Sequence, residues 1–147
     1  MTTLRDQATI DGLAARLVGL DAGKQALWGQ FNCQQMLAHV ADGLRMSLGE
    51  LKVQPKNTPL RYWPLKQLII FWLPFPKGAP TAPELVARPA QSIDEERDSI
   101  NQLMRGFRDR DGQAPWPAHP AFGQLDEVSW GVLMYKHIDH HLRQFGQ

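Results

Sequence analysis

Apolar residues recur with a helical period in four separate stretches of this chain, and no stretch of useful length shows the two-residue alternation of a strand. In the first, residues 11–20 (DGLAARLVGL), Leu13, Leu17 and Leu20 fall on one side. In the second, Asn32 is placed to cap a helix carrying Met36, Leu37, Val40, Leu44 and Leu48. The third opens on Ser92-Ile93-Asp94-Glu95, a capping box in which the serine oxygen and the glutamate each satisfy a free N–H of the first turn. Ile93, Ile100, Leu103, Met104 and Phe107 follow, and the helix ends before Asp111-Gly112. The fourth starts after the cap Asp126 and runs through Trp130, Met134, Ile138, Leu142 and Phe145 to Gly146. Each amphipathic helix must bury its apolar stripe against another, so the pattern predicts an all-α chain, a four-helix bundle with a long crossover between helices two and three.

A chain of 147 residues with 43% apolar content encloses one substantial core, which predicts a single domain over residues 1–147. The crossover, about residues 49–91, contains PLRYWPLKQLIIFWLPFPKGAP. Its apolar run from Leu68 to Phe75 is far shorter than the roughly 20 residues that span a bilayer, and Pro64, Pro74 and Pro76 punctuate the segment. The expectation is an extra short helix, lying over the bundle or against a second subunit, that buries Trp63, Leu68, Ile69, Phe71 and Trp72 rather than meeting a membrane.

Sixteen basic against fifteen acidic residues give a formal charge of +1 without a long run of either sign, which argues against a nucleic-acid partner. Cys33 is alone and cannot form an internal disulfide, and the opening MTTLRDQATIDGL lacks the apolar stretch of an export signal; both predict a cytoplasmic protein. Cys33 lies one turn before Leu37 on the apolar side, the position of a buried, inert thiol.

Three of the five histidines fall in HIDHH, residues 137–141. At roughly 100° per helical residue, His137 and His141 stand about 40° apart, whereas His140 points about 60° away from His137. Trp130, Met134, Ile138 and Phe145 share the stripe of His137 and His141, so this pair faces the interior. Two neighbouring imidazoles there lose hydration without fully satisfying each other, unless a third party takes up their lone pairs. A divalent metal does so, although H-x-x-x-H spacing by itself also arises from satisfied core or surface histidines. His39 offers a third nitrogen from helix two, at the edge of the Met36, Val40 and Leu44 stripe; a histidine bonded to a neighbour is the alternative. Three ligands from two facing helices leave coordination positions open, as catalytic sites require.

Other residues carry paired readings. Asp42 orients a ligand or accepts a proton, or is a solvated aspartate; Arg143 pairs with a substrate carboxylate, or complements the helix dipole. His140 is a second donor behind the ligands or faces solvent, and its offset favours solvent. Trp28 and Trp130 pack the core, and Trp130, on the ligand face, also walls a pocket. His119, between prolines in PAHPAFG, belongs to a rigid surface turn rather than to a metal. No residue stands out as a dedicated general base.

The pattern WxxxxxxQMLAHVADGL, followed after the crossover by HPAFGQLDEVSWGVLMYKHIDHHLRQF, resembles the DinB-like (YfiT-like) superfamily of four-helix-bundle metalloenzymes over most of the chain. That family's helix-two histidine and final-helix H-x-x-x-H match His39, His137 and His141. The resemblance implies a divalent metal, zinc or nickel first, and a homodimer acting on a small-molecule substrate. It further implies either a transferase that uses a low-molecular-weight thiol as cosubstrate, or a hydrolase. The insert at about 49–91 and the HPAFG turn resemble an uncharacterised branch and depart from the thiol-transferase members. Imidazole ligands alone suit zinc, nickel, iron and copper alike. A stress-response bundle that binds a metal or small molecule without turnover is the alternative function.

Overall fold

The computed structural model describes residues 1–147 and contains α1 (Gln7–Val18), α2 (Cys33–Leu48), α3 (Leu65–Gln67), α4 (Ile93–Asp109) and α5 (Glu127–Gln144), with no strand. α3 is a single turn that runs on into a π-helical turn, Leu68–Trp72. The caps act as their residue types dictate. Asn32 accepts from the Gln35 N–H at 2.8 Å while Gln35 Oε1 accepts from the Asn32 N–H at 2.9 Å, and Ser92 and Glu95 form the same reciprocal box. Asp126 accepts from the Ser129 N–H at 2.8 Å to open α5. Gly49 closes α2 at φ +82°, a left-handed conformation in which a side chain is strained. α1 starts at Gln7, four residues before the stretch read from the apolar spacing, because Ile10 continues the buried stripe of Leu13 and Leu17.

The four long helices enclose one cluster of 27 buried apolar residues. α2 is the central element: it packs on α4 and α5, and a crossover turn lies against it as well. Every residue from Met36 to Leu44 is therefore buried, including the polar His39 and Asp42. Ala38, Ala41 and Gly43 keep α2 slim enough for close approach on several sides. Removing a core leucine from such packing costs about 2–5 kcal/mol.

The crossover is fastened by cations. Lys136 Nζ on α5 donates to the carbonyls of Ile69, Ile70 and Leu73 at 2.6, 2.9 and 2.6 Å, capping the end of the π-helical turn. Only Ile70 of this turn is fully buried, with Ile69 and Phe71 partly so. Trp63, Trp72 and Leu68 face solvent at 79, 78 and 42% exposure, so of the two expected placements packing over the bundle does not cover these three. No helix is long and apolar enough to cross a membrane.

Candidate metal centre

His39 from α2 and His137 and His141 from α5 come together, with one nitrogen of each lying within 4.8 Å of the others. His39 Nε2 and His137 Nε2 are 2.9 Å apart. Nitrogens bound tetrahedrally to one ion at about 2.0–2.1 Å stand about 3.3 Å apart, so this pair needs to open by only a few tenths of an ångström. The three rings are 4.8–4.9 Å apart between centroids and nearly perpendicular in pairs, with interplanar angles of 78–87°. They therefore converge edge-on rather than stacking.

Gly43 makes room for this convergence. It sits one turn beyond His39, and a Cβ placed there would lie 2.9 Å from His137 Cε1. Phe31 supplies the apolar wall, its ring 5.2 Å from that of His39 and 6.0 Å from that of His141.

All three imidazoles are held neutral. Burial lowers the pKa of each, pushing His141 down to about 3 and His137 well below 6.5, and each ring's charge would oppose its neighbours'. Their partners define the tautomers. His39 Nδ1 lies 3.2 Å from the Leu85 carbonyl, which can only accept, so the proton is on Nδ1 and the Nε2 lone pair faces the other two rings. His141 Nδ1 lies 2.8 Å from Gln144 Oε1, and Gln144 Nε2 donates to the Trp28 carbonyl at 2.8 Å. The Trp28 carbonyl orients the amide, the amide oxygen fixes the Nδ1 proton, and the His141 Nε2 lone pair is left over. With His39 Nε2 as acceptor, the 2.9 Å contact makes His137 Nε2 the donor in the metal-free protein.

The remaining candidates are placed differently. Asp42 is buried at 4% exposure rather than solvated, and it accepts from Arg88 Nε at 2.9 and 3.0 Å and from Arg45 at 2.7 Å. Trp130 is buried against His119 and donates to the Pro117 carbonyl at 3.0 Å, so it braces the loop before α5. Phe31 holds the place by the triad that helix periodicity suggests for Trp130. His140 is half-buried, edge-on to Trp28 at 5.5 Å and 5.2 Å from the His141 ring. Arg143 is 68% exposed and pairs with Asp139 at 2.9 Å, away from the triad. His119 is partly buried, and its Nδ1 accepts from the Ala121 and Phe122 N–H groups at 3.0 and 3.2 Å, pinning the HPAFG turn. Cys33 is buried, and burial raises its thiol pKa, as an inert cysteine requires. Two surface clefts, of about 440 and 360 Å³, lie beside Trp116 and Arg88 and include none of the three histidines.

Sequence spacing does not single out Leu85, Gln144 or Phe31. Gln144 was nonetheless legible, since it follows His141 by three residues on one helix, the separation at which side chains meet. Leu85 acts through its carbonyl, and a backbone group leaves no mark on side-chain pattern.

Helices and imidazoles together define an all-helical, bundle-like protein with a buried three-histidine cluster compatible with a metal site. The chain belongs to the family described as Protein of unknown function (DUF1569), which it matches over residues 6–147. No curated protein and no solved structure matches it.

Proposed function

We propose that this chain is a DinB-like four-helix bundle that holds a divalent metal, zinc or nickel first, on His39, His137 and His141 and acts on a small-molecule substrate. The observation that carries the reading is the convergence of the three rings, with Nδ1 of both His39 and His141 set against an acceptor so that Nε2 of each is left for an ion shared with His137. Bound there, a divalent ion supplies Lewis acidity toward a water or a thiol, because three neutral imidazoles cancel none of its charge. The protein's part is to hold the ligands, to keep the apolar Phe31 ring against them, and to place neutral His140 next to His141 as a proton acceptor. Transfer of a low-molecular-weight thiol or hydrolysis follows, in a cytoplasmic homodimer whose subunits cover Trp63, Leu68 and Trp72.

A binding protein without turnover is the second reading. It is favoured by Asp42, the nearest carboxylate to His39 in sequence, whose oxygens are taken up by Arg45 and Arg88 and are not free to act as a base.

The test is the metal content of protein purified without chelator or affinity tag, beside a His137→Ala/His141→Ala variant. About one metal per chain, lost in a variant that keeps its helical signal, supports the site and opens screens of thiols and hydrolysable esters and amides. Negligible metal in both after reconstitution with zinc and nickel rejects it.

A further inference from the structure

Arg88 joins two helices through one guanidinium. Its Nε reaches both oxygens of Asp42 on α2, and its terminal nitrogens reach both oxygens of Glu96 on α4 at 2.6 and 2.8 Å. Glu96 is completely buried and also accepts the Gln91 N–H at 2.9 Å, while Arg45 completes the charge balance on Asp42. Four charges, two of each sign, thus close on one another at the edge of the core. Each carboxylate is buried only because the guanidinium reaches it.

The cluster has a defined position relative to the triad. Asp42 follows His39 by one helical turn, and Arg88 follows Leu85 by three residues. α2 and the segment from 85 to 88 therefore meet at two successive points: His39 Nδ1 on the Leu85 carbonyl, and Asp42 on Arg88. The turn Pro83–Leu85 and the buried Leu85 side chain place the chain locally, and Arg88 ties it to α2 again three residues further on.

We infer that the Asp42–Arg88–Glu96 cluster is a positioning device for His39: it presses the Leu85 carbonyl onto Nδ1 and so selects the tautomer whose Nε2 lone pair faces His137 and His141. Arg88 and Asp42 are positioning residues and touch no reacting atom. The inference deepens the proposed function, on which its metal-affinity consequence rests; its tautomer consequence holds in the metal-free protein.

The experiment uses the full chain with Arg88→Lys, which keeps the charge but cannot span both carboxylates, and Asp42→Asn, which keeps the shape and removes the charge. Arg97→Lys is the control, since Arg97 follows Glu96 on the same turn of α4 but straps the Leu17 and Leu20 carbonyls and takes no part in the cluster. Long-range proton–nitrogen correlation spectra of the metal-free proteins read the His39 tautomer, and zinc and cobalt titrations read affinity. The wild type and Arg97→Lys should show a single Nδ1–H form at His39. Arg88→Lys and Asp42→Asn should show mixed tautomers, weaken zinc by about 10–100-fold and alter the cobalt absorption bands. A wild-type His39 protonated on Nε2, or an unchanged tautomer in both variants, overturns the inference. Absence of zinc and cobalt binding in the wild type rejects the metal reading instead, and the nitrogen spectra then decide the positioning role alone. Should Arg88→Lys not fold, Asp42→Asn carries the same comparison.

Discussion

His141 and Gln144, three residues apart on α5, are joined by a 2.8 Å contact between Nδ1 of the imidazole and Oε1 of the amide. Gln144→Leu removes the acceptor and leaves the Trp28 carbonyl without its donor. Zinc affinity should fall by about 10–100-fold, as when a partner behind a metal-bound histidine is lost. Competition against a chromophoric chelator measures it, and an unchanged affinity would show that Gln144 does not set the His141 tautomer.

Gly43→Ala places a methyl 2.9 Å from His137 Cε1, closer than van der Waals contact allows. Alanine favours a helix over glycine by about 1 kcal/mol, so α2 itself gains while the imidazole is pushed aside. The expected outcome is a protein within about 1 kcal/mol of wild-type stability that binds metal at least tenfold more weakly. Denaturant melts and metal titration on the same preparations separate the two effects.

Lys136→Met keeps the aliphatic length and deletes three hydrogen bonds to carbonyls of the crossover. Hydrogen bonds from a charged donor are each worth about 1.5–3 kcal/mol, and loss of the set is partly offset because the ammonium no longer has to be desolvated. Hydrogen exchange should accelerate over residues 65–76 while the protected core of α2 and α4 stays slow. Equal exchange in both proteins would mean that the apolar contacts of Ile70 and its neighbours, with the Lys66 bond to the Gln124 carbonyl, hold the segment.

Acid should destabilise the metal-free protein earlier than its carboxylates account for. Burial drives His119 from 6.5 down to about 4, so the unfolded chain takes up a proton that the folded chain refuses. The stabilisation is complete above about pH 6.5 and is lost as pH falls through about 4, with His141 extending the loss toward about 3. Denaturant titrations at pH 7, 6, 5 and 4 should give a falling unfolding free energy, and His119→Gln should make the fall shallower.

Self-association through the crossover predicts that Trp63→Ser/Trp72→Ser lowers the mass in solution by half, since both rings stand almost fully in solvent on a single chain. Sedimentation velocity over a range of concentrations measures it. A wild type that remains monomeric throughout removes the homodimer from the proposal.

How much of this was legible depended on which group does the work. Ser92, Asn32 and Asp126 cap helices because their side chains satisfy nearby N–H groups, and such local chemistry is written in sequence order. His39, His137 and His141 were readable because helical angle and apolar stripe together fix the direction of a side chain. The crossover was not readable in the same way. Its π-helical turn is held by Lys136 from α5, and its later half by Arg88 between two helices. Asp42 misleads for the same reason: alone on a helix it looks solvated, and only a distant arginine makes its burial possible. Trp63 and Trp72 mark a different limit, since apolar character predicts burial but not against which surface, and no surface of their own chain covers them.

Lys136 and His39 both grip the crossover by its carbonyl oxygens, at Ile69, Ile70, Leu73 and Leu85. A carbonyl is common to every amino acid, so much of this loop's address is written in the helices that receive it, with Arg88 the charged side chain that the loop itself supplies. Outside the buried Ile70 and Leu85, the partly buried apolar residues packed on the core, and Arg88, the solvent-facing side of the crossover is therefore a permissive stretch of sequence, free to change its binding preferences while its path over the bundle stays the same. Libraries randomised at Trp63, Leu68 and Trp72 should yield folded members at high frequency, making this loop the natural place to graft new recognition onto the scaffold.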